Sequence, residues 1–224
     1  MWMTLLERYK RHRFAWLLFF LLVTIGAHSA FDGLGLPFHP LEALLALNLL
    51  AAIATITAKW AVRACLTLGV AFLAFRSLQA PLGGASMLSL GEAAWVLGSL
   101  LALAAIARQA LQRGPVDAER IAAALDAYLL GGLVFGVSFW ALEQAWPGSF
   151  RGVPETGLDL GGAIYFSFVT IATLGYGDIV PASEAARGLA ILEAVGGQMY
   201  LVVLVARLVS LYAAPTARGT RPAD

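Results

Sequence analysis

The feature that most restricts this chain is a succession of apolar runs, each about as long as a bilayer is thick. Phe14–Phe31, Leu41–Ala58, Ala61–Leu78, Leu90–Leu111, Ile121–Trp146 and Ala185–Ala213 carry few charges. A hydrocarbon core of about 30 Å needs roughly 20 such residues in a helix. The sequence is 60% hydrophobic and 13% charged, whereas a soluble domain carries about 25% charge. A soluble globule and a disordered chain are both excluded. A formal net charge of +1 gives no strong general attraction for phosphate, so nucleic acid is not an expected partner. The lone cysteine, Cys65, excludes an intrachain disulfide and a multi-cysteine zinc site. The sequence therefore predicts a polytopic membrane protein of the all-α class with six transmembrane helices.

The breaks between runs have local causes. Asp32-Gly33, Pro37 to Pro40, Pro81 to Gly84, Gly114-Pro115 and Pro147-Gly148 are turn and helix-ending sequences. Asp117 is placed to cap the fifth helix. Lys59-Trp60, between the second and third runs, has no such punctuation. Arg8, Lys10, Arg11 and Arg13 precede the first run, which predicts a cytoplasmic N-terminus, and six spans return the C-terminus to the same side. Twelve of the 15 basic residues then fall on or near the cytoplasmic side; Arg76, Arg151 and Arg187 are the exceptions.

This predicts a four-helix membrane domain over 1–116, a second domain over 117–213 and a short cytoplasmic tail over 214–224. The expected location is the plasma or inner membrane, in contact with lipid. The basic N-terminus, apolar run and Ala27-His28-Ser29 have the look of a signal peptide, but the segment is expected to stay as the first helix. No extramembrane domain is expected, and no inverted repeat is visible.

Between the fifth and sixth runs lies Leu160–Leu174, apolar but too short to cross. It ends in Thr170-Ile171-Ala172-Thr173-Leu174-Gly175-Tyr176-Gly177-Asp178. This segment resembles the selectivity filter of the potassium channel pore-loop family, and the resemblance extends over Ile121–Ala213. Leu174 stands where valine is commoner. The resemblance implies an outer helix, turret, re-entrant pore helix (Ala163–Ala172), filter loop and inner helix, arranged around an axis by a homotetramer. It implies potassium-selective conduction, with K+ held at Thr173, Leu174, Gly175 and Tyr176. Gly177 completes the filter and Asp178 supports it from behind.

The residues fit that chemistry. A potassium ion sheds water when oxygens replace its hydration shell, and Gly175 and Gly177 can take the left-handed backbone that turns successive carbonyls to one side. Non-helical backbone at membrane depth is tolerated where it is buried or lines water. The pore helix would aim its negative C-terminal end at a cation, with Tyr165, Phe166 and Phe168 packed around it. In the last run, Gly196 and Gly197 are a candidate hinge or a close-packing site. Leu201, Val205 and Val209 are a candidate hydrophobic gate or a lipid-facing stripe.

Ionisable residues inside spans usually face protein or water. Glu193 is expected to bind the back of the pore helix or to pair with Arg187. Asp126 and Glu143 are expected at the two interfaces. Glu155 and Asp159 lie in the turret, where Asp159 is either a cation attractor or a helix cap. His12, His28 and His39 make no metal site, and no catalytic set is present, so no enzyme activity and no cofactor beyond the permeant K+ are expected. The fourth run offers only Arg108, so steep voltage gating is not expected. The alternatives are a weakly selective cation channel, a secondary transporter with a broken helix, and a non-conducting scaffold.

Overall fold

Backbone groups in hydrocarbon have no water to bond, so apolar runs satisfy themselves as helices. The computed structural model describes residues 12–31, 40–55, 67, 85–112 and 117–213. Along the chain run α1 (Arg13–Phe31), α2 (Pro40–Thr55), α3 (Ala85–Ala110), α4 (Ala118–Ala145), β1 (Phe150–Arg151), α5 (Leu160–Ile171), β2 (Val180–Pro181) and α6 (Glu184–Ala213). The described residues are mostly helical, and α4 and α6 are long and apolar enough to cross a bilayer. The expected third span, Ala61–Leu78, lies outside the described residues apart from Thr67, as do Lys59-Trp60 and the tail 214–224. Helix α3 begins at Ala85, ahead of the expected Leu90.

Helix α4 is the hub: it packs against α1, α3, α5 and α6. Asp117 caps it, accepting from the Arg120 amide at 2.9 Å. One apolar core runs across the boundary between the two expected domains. It joins Leu17 and Leu21 of α1, Leu45 and Leu49 of α2, and Trp95 and Ile106 of α3 to Ala123 and Leu130 of α4. Within it, Asn48 Nδ2 donates to Thr24 Oγ1 at 2.5 Å and so ties α2 to α1. At the start of α1, Arg13 donates to Gln109 Oε1 at 3.0 Å and the Phe14 amide to Glu119 Oε2 at 3.3 Å. These bonds join α1 to the end of α3 and the first turn of α4.

Helix α5 approaches α4 closely because α4 presents glycine there. A Cβ on Gly136 would lie 2.9 Å from Ile164 Cα, and one on Gly132 would lie 2.8 Å from the Phe168 ring. Near the C-terminal end of α4 Phe139, Phe150 and Phe166 form a trio of edge-to-face rings with centroids 4.9–5.6 Å apart. Among the described residues, the one departure from an all-helical fold is the β1–β2 ladder, antiparallel with Phe150 opposite Pro181 and Arg151 opposite Val180.

Candidate functional site

The pore-helix candidate, α5, starts earlier than the expected Ala163. Asp159 Oδ1 accepts from the Gly162 amide at 2.8 Å, so the helix runs Leu160–Ile171. Asp159 is therefore the cap, which satisfies an amide that a free N-terminus would leave unpaired. Phe166 faces the aromatic trio and Phe168 faces Gly132. Tyr165 turns outward instead, and its hydroxyl donates to Asp178 Oδ2 at 2.7 Å.

The C-terminal end of α5 is pinned from two sides. Ile171 carbonyl accepts from the Tyr128 hydroxyl of α4 at 3.0 Å and from Gln198 Nε2 of α6 at 3.4 Å. Gly197 of α6 is buried against the same residue, and a Cβ there would lie 2.5 Å from Ile171 Cγ1. Gly196 is exposed and a Cβ on it would meet nothing within 4 Å. The two glycines thus differ: Gly197 is a close-packing position. Helix α6 continues through both.

Beyond Ile171 the chain reverses. The amides of Ala172, Thr173, Leu174 and Gly175 donate back to Phe168, Thr170 and Val169 carbonyls. Thr173 has φ +60°, Gly175 +56° and Gly177 +78°. Alternate residues are therefore left-handed, a conformation that carries a steric penalty for an L side chain. The two glycines were expected to adopt it and Thr173 was not. Thr173 is the one positive-φ residue with a side chain among the described residues. From Ala172 to Asp178 every residue is exposed in the single chain, with Leu174 at 57% and Tyr176 at 67%. No described residue donates to the carbonyls of Thr173 through Tyr176.

Asp178 closes the loop. The Tyr165 hydroxyl, and then backbone amides, hold its carboxyl below the ordinary aspartate range. Its carbonyl is packed against the turret, where a Cβ on Gly152 (φ +78°) would overlap it. The turret is in turn fixed by Glu143, which is buried and accepts from the Gly148 and Phe150 amides at 3.0 and 3.2 Å. Ser149 carbonyl accepts from the Ala182 and Ser183 amides, which joins the turret to the start of α6. Glu143 is thus a buried anchor. Its role was not legible because its partners are backbone amides, which every sequence has.

Asp126 lies inside the protein. It is fully buried, and neither carboxylate oxygen has a hydrogen-bond partner among the described residues. Arg187 pairs with Glu184 at 3.0 Å, not with Glu193. Glu193 is fully buried behind α5 and hydrogen-bonded through Oε1 to Ser167. Val205 and Val209 are exposed in the single chain and Leu201 is half-buried.

Comparison with known proteins bears on this same region. Residues 124–214 match the family model described as "Ion channel". The chain carries an ion-channel domain of the pore-loop family. That domain is similar to the "Two pore potassium channel c" of Oryza sativa subsp. japonica, with 37% identity over 83 residues, 37% of this chain and 18% of the relative. It is also similar to the "Inward rectifier potassium channel Kirbac3.1" of Paramagnetospirillum magnetotacticum, with 33% identity over 94 residues, 40% of this chain and 28% of the relative. The chain thus spans well under a third of the length of either relative. No solved structure matches the chain at comparable stringency. The match to the ion-channel domain takes in α4 from Ala124, α5, the loop and α6, and leaves α1–α3 outside it.

Proposed function

We propose that the protein is a potassium-selective channel that conducts passively through a homotetrameric pore. The observation that carries this reading is the alternation of left-handed residues at Thr173, Gly175 and Gly177 in an exposed Thr-Leu-Gly-Tyr-Gly-Asp segment. Such backbone turns successive carbonyls to one side, where they replace the hydration shell of a cation. K+ is held by the carbonyls of Thr173, Leu174, Gly175 and Tyr176, with the Thr173 hydroxyl at the inner end and Asp178 supporting from behind. One chain supplies one such strand, and an ion on an axis needs four. That both relatives named above are potassium channels supports the choice of ion.

In this reading the chain has six spans, α5 with its loop is re-entrant, and both termini are cytoplasmic in the cell membrane. Gly196 is the hinge position that remains open to bending. Val205 and Val209, exposed along α6, face the axis as a hydrophobic constriction. Opening depends weakly on voltage. Moving one charge through 100 mV supplies about 2.3 kcal/mol, and Arg108 is the one basic residue of α3, in its last turn.

The test is flux from purified protein in liposomes, with potassium and sodium gradients applied separately. Potassium flux that excludes sodium is the expected result. Equal sodium flux identifies a weakly selective cation channel, and saturating, coupled flux identifies a transporter. Selective conduction by a monomer or dimer breaks the fourfold reading.

A further inference from the structure

Behind the loop, three helices meet at one hydroxyl. Ser167 Oγ of α5 lies 2.6 Å from the Gly132 carbonyl of α4, in donor geometry, and is hydrogen-bonded on its other side to Glu193 Oε1 of α6. Ser167 and Glu193 are both completely buried within the single chain. A serine hydroxyl has one proton to give. The Gly132 carbonyl has none, so the Ser167 proton must lie between those two oxygens; otherwise two lone pairs face each other at hydrogen-bond distance. The contact between Ser167 and Glu193 then needs a proton from the glutamate.

A second observation points the same way. Glu193 Oε2 is buried with no hydrogen-bond partner among the described residues. A carboxylate would bring charge to that oxygen with nothing to solvate it, a heavy penalty in a low-dielectric interior. The neutral acid leaves only an unpaired carbonyl. Nor does a cation compensate, since none of the ion pairs among the described residues involves Glu193. From α4 it faces Tyr128, whose hydroxyl is engaged by Ile171. From α5 it meets Ser167, while Tyr165 turns outward to Asp178. On α6 itself Tyr200 is engaged by the Ala124 carbonyl, and Glu184 and Arg187 pair with each other. Strand β2, packed on α6, has no titratable side chain.

We propose that Glu193 is held as the neutral carboxylic acid and donates to Ser167, making it a positioning residue that locks α6, α5 and α4 together behind the loop. The chain of bonds runs from the Glu193 O–H to Ser167 Oγ, and from the Ser167 O–H to the Gly132 carbonyl. It orients α5 four residues before Ile171, whose carbonyl α4 and α6 also grip. Removal of the proton at alkaline pH places a charge against that hydroxyl, withdraws its proton from Gly132 and loosens α5. The consequence for conduction rests on the channel reading above; the protonation itself does not.

Infrared spectroscopy of the full chain in lipid tests the proton directly, because a carboxylic acid and a carboxylate have separate carbonyl stretches. Among the described residues Asp126 is the other buried carboxyl with an unpartnered oxygen, so the Asp126→Asn protein serves as the background. At neutral pH it is expected to retain a protonated-acid band, to lose that band on alkaline titration, and to lose it at all pH values when Glu193→Gln is added. Absence of the band at neutral pH in Asp126→Asn, or its survival in the double variant, overturns the proposal. If Glu193→Gln does not fold, the Asp126→Asn titration alone decides.

The positioning role is read from flux. Glu193→Gln, whose amide can still donate to Ser167, is expected to keep wild-type potassium flux and to lose its decline at alkaline pH. Glu193→Asp, too short to reach, is expected to lose flux. Wild-type flux that persists after the acid band has titrated away overturns the positioning role. A protein that shows the band but conducts nothing under any condition refutes the channel reading and leaves the protonation standing.

Discussion

The two long helices of the ion-channel domain are alike in sequence character and opposite in surroundings. In α4, 67% of the most apolar window is buried inside the single chain; in α6 the share is 11%. Helix α4 is covered by α1, α3 and α5, with alanine and glycine admitting close neighbours. Helix α6 leaves Ile191, Leu192, Val195, Met199 and Val202 more than half exposed. The loop from Ala172 to Asp178 is uncovered as well. One chain therefore completes the seat of α5, while the loop and α6 stay largely uncovered; in the proposed tetramer, further copies and lipid cover them. Substitutions on the covered side should act on folding, and those on the uncovered side on conduction.

The sharpest break of that division is Gly177→Ala. A Cβ there meets nothing within 4 Å, so the chain has room for it, but φ is +78°. The left-handed penalty of about 1–2 kcal/mol opposes that backbone in every strand of the proposed tetramer. The expected result is complete loss of potassium selectivity with normal yield and thermal stability, measured by reversal potentials and by unfolding in detergent. Retained selectivity shows that the loop is not the site.

Next in size is Glu143→Ala, on the covered side. It removes the acceptor of two turret amides, and bonds to a charged group are worth about 1.5–3 kcal/mol each. A clear drop in thermal stability is expected in single chains and assemblies alike, and an unchanged melting temperature contradicts the anchoring role.

Gly196→Ala and Gly197→Ala divide the comparison within one helix. Gly197→Ala overpacks Ile171, at a cost of about 1–3 kcal/mol. Gly196→Ala has open space and should stabilise the helix by about 1 kcal/mol. Reduced channel opening in a stable Gly196→Ala protein identifies a hinge; wild-type opening removes that role.

The smallest effect is expected at the boundary of the two sides. Tyr165→Phe deletes the hydroxyl that holds the Asp178 carboxyl below its ordinary range. A lowered value means the contribution of this bond is present above the unfolded-state value and is lost as pH falls through the folded-state value. The variant should therefore lose flux at a higher pH than wild type on the acid side, as a flux–pH profile would record. Superimposable acid limbs sink the idea.

Much of the loop's backbone and of the helix capping was legible because its determinants are local. Gly175 and Gly177 can adopt left-handed backbone whatever surrounds them, and Asp117 and Asp159 cap helices through amides three residues away. The left-handed backbone of Thr173 was not legible because a residue with a Cβ is not expected at φ +60°; only the reversal after α5 imposes it. The Tyr165–Asp178 bond spans 13 residues, a separation that no helical or strand periodicity announces.

By itself the sequence determined the membrane class, the helical runs that the described residues contain and the loop, since apolar length and glycine placement act without reference to distant partners. Tertiary structure alone decided which of two adjacent glycines packs, that Glu143 holds the turret, that Asp126 is buried, and that Glu193 reaches Ser167. The physical reason lies in the helices themselves. A surface helix of a soluble protein declares its buried face by an amphipathic stripe, but α4 and α6 are apolar nearly all round. Their rotation about their own axes, and so the neighbour each side chain meets, is set by the fit of one helix against another.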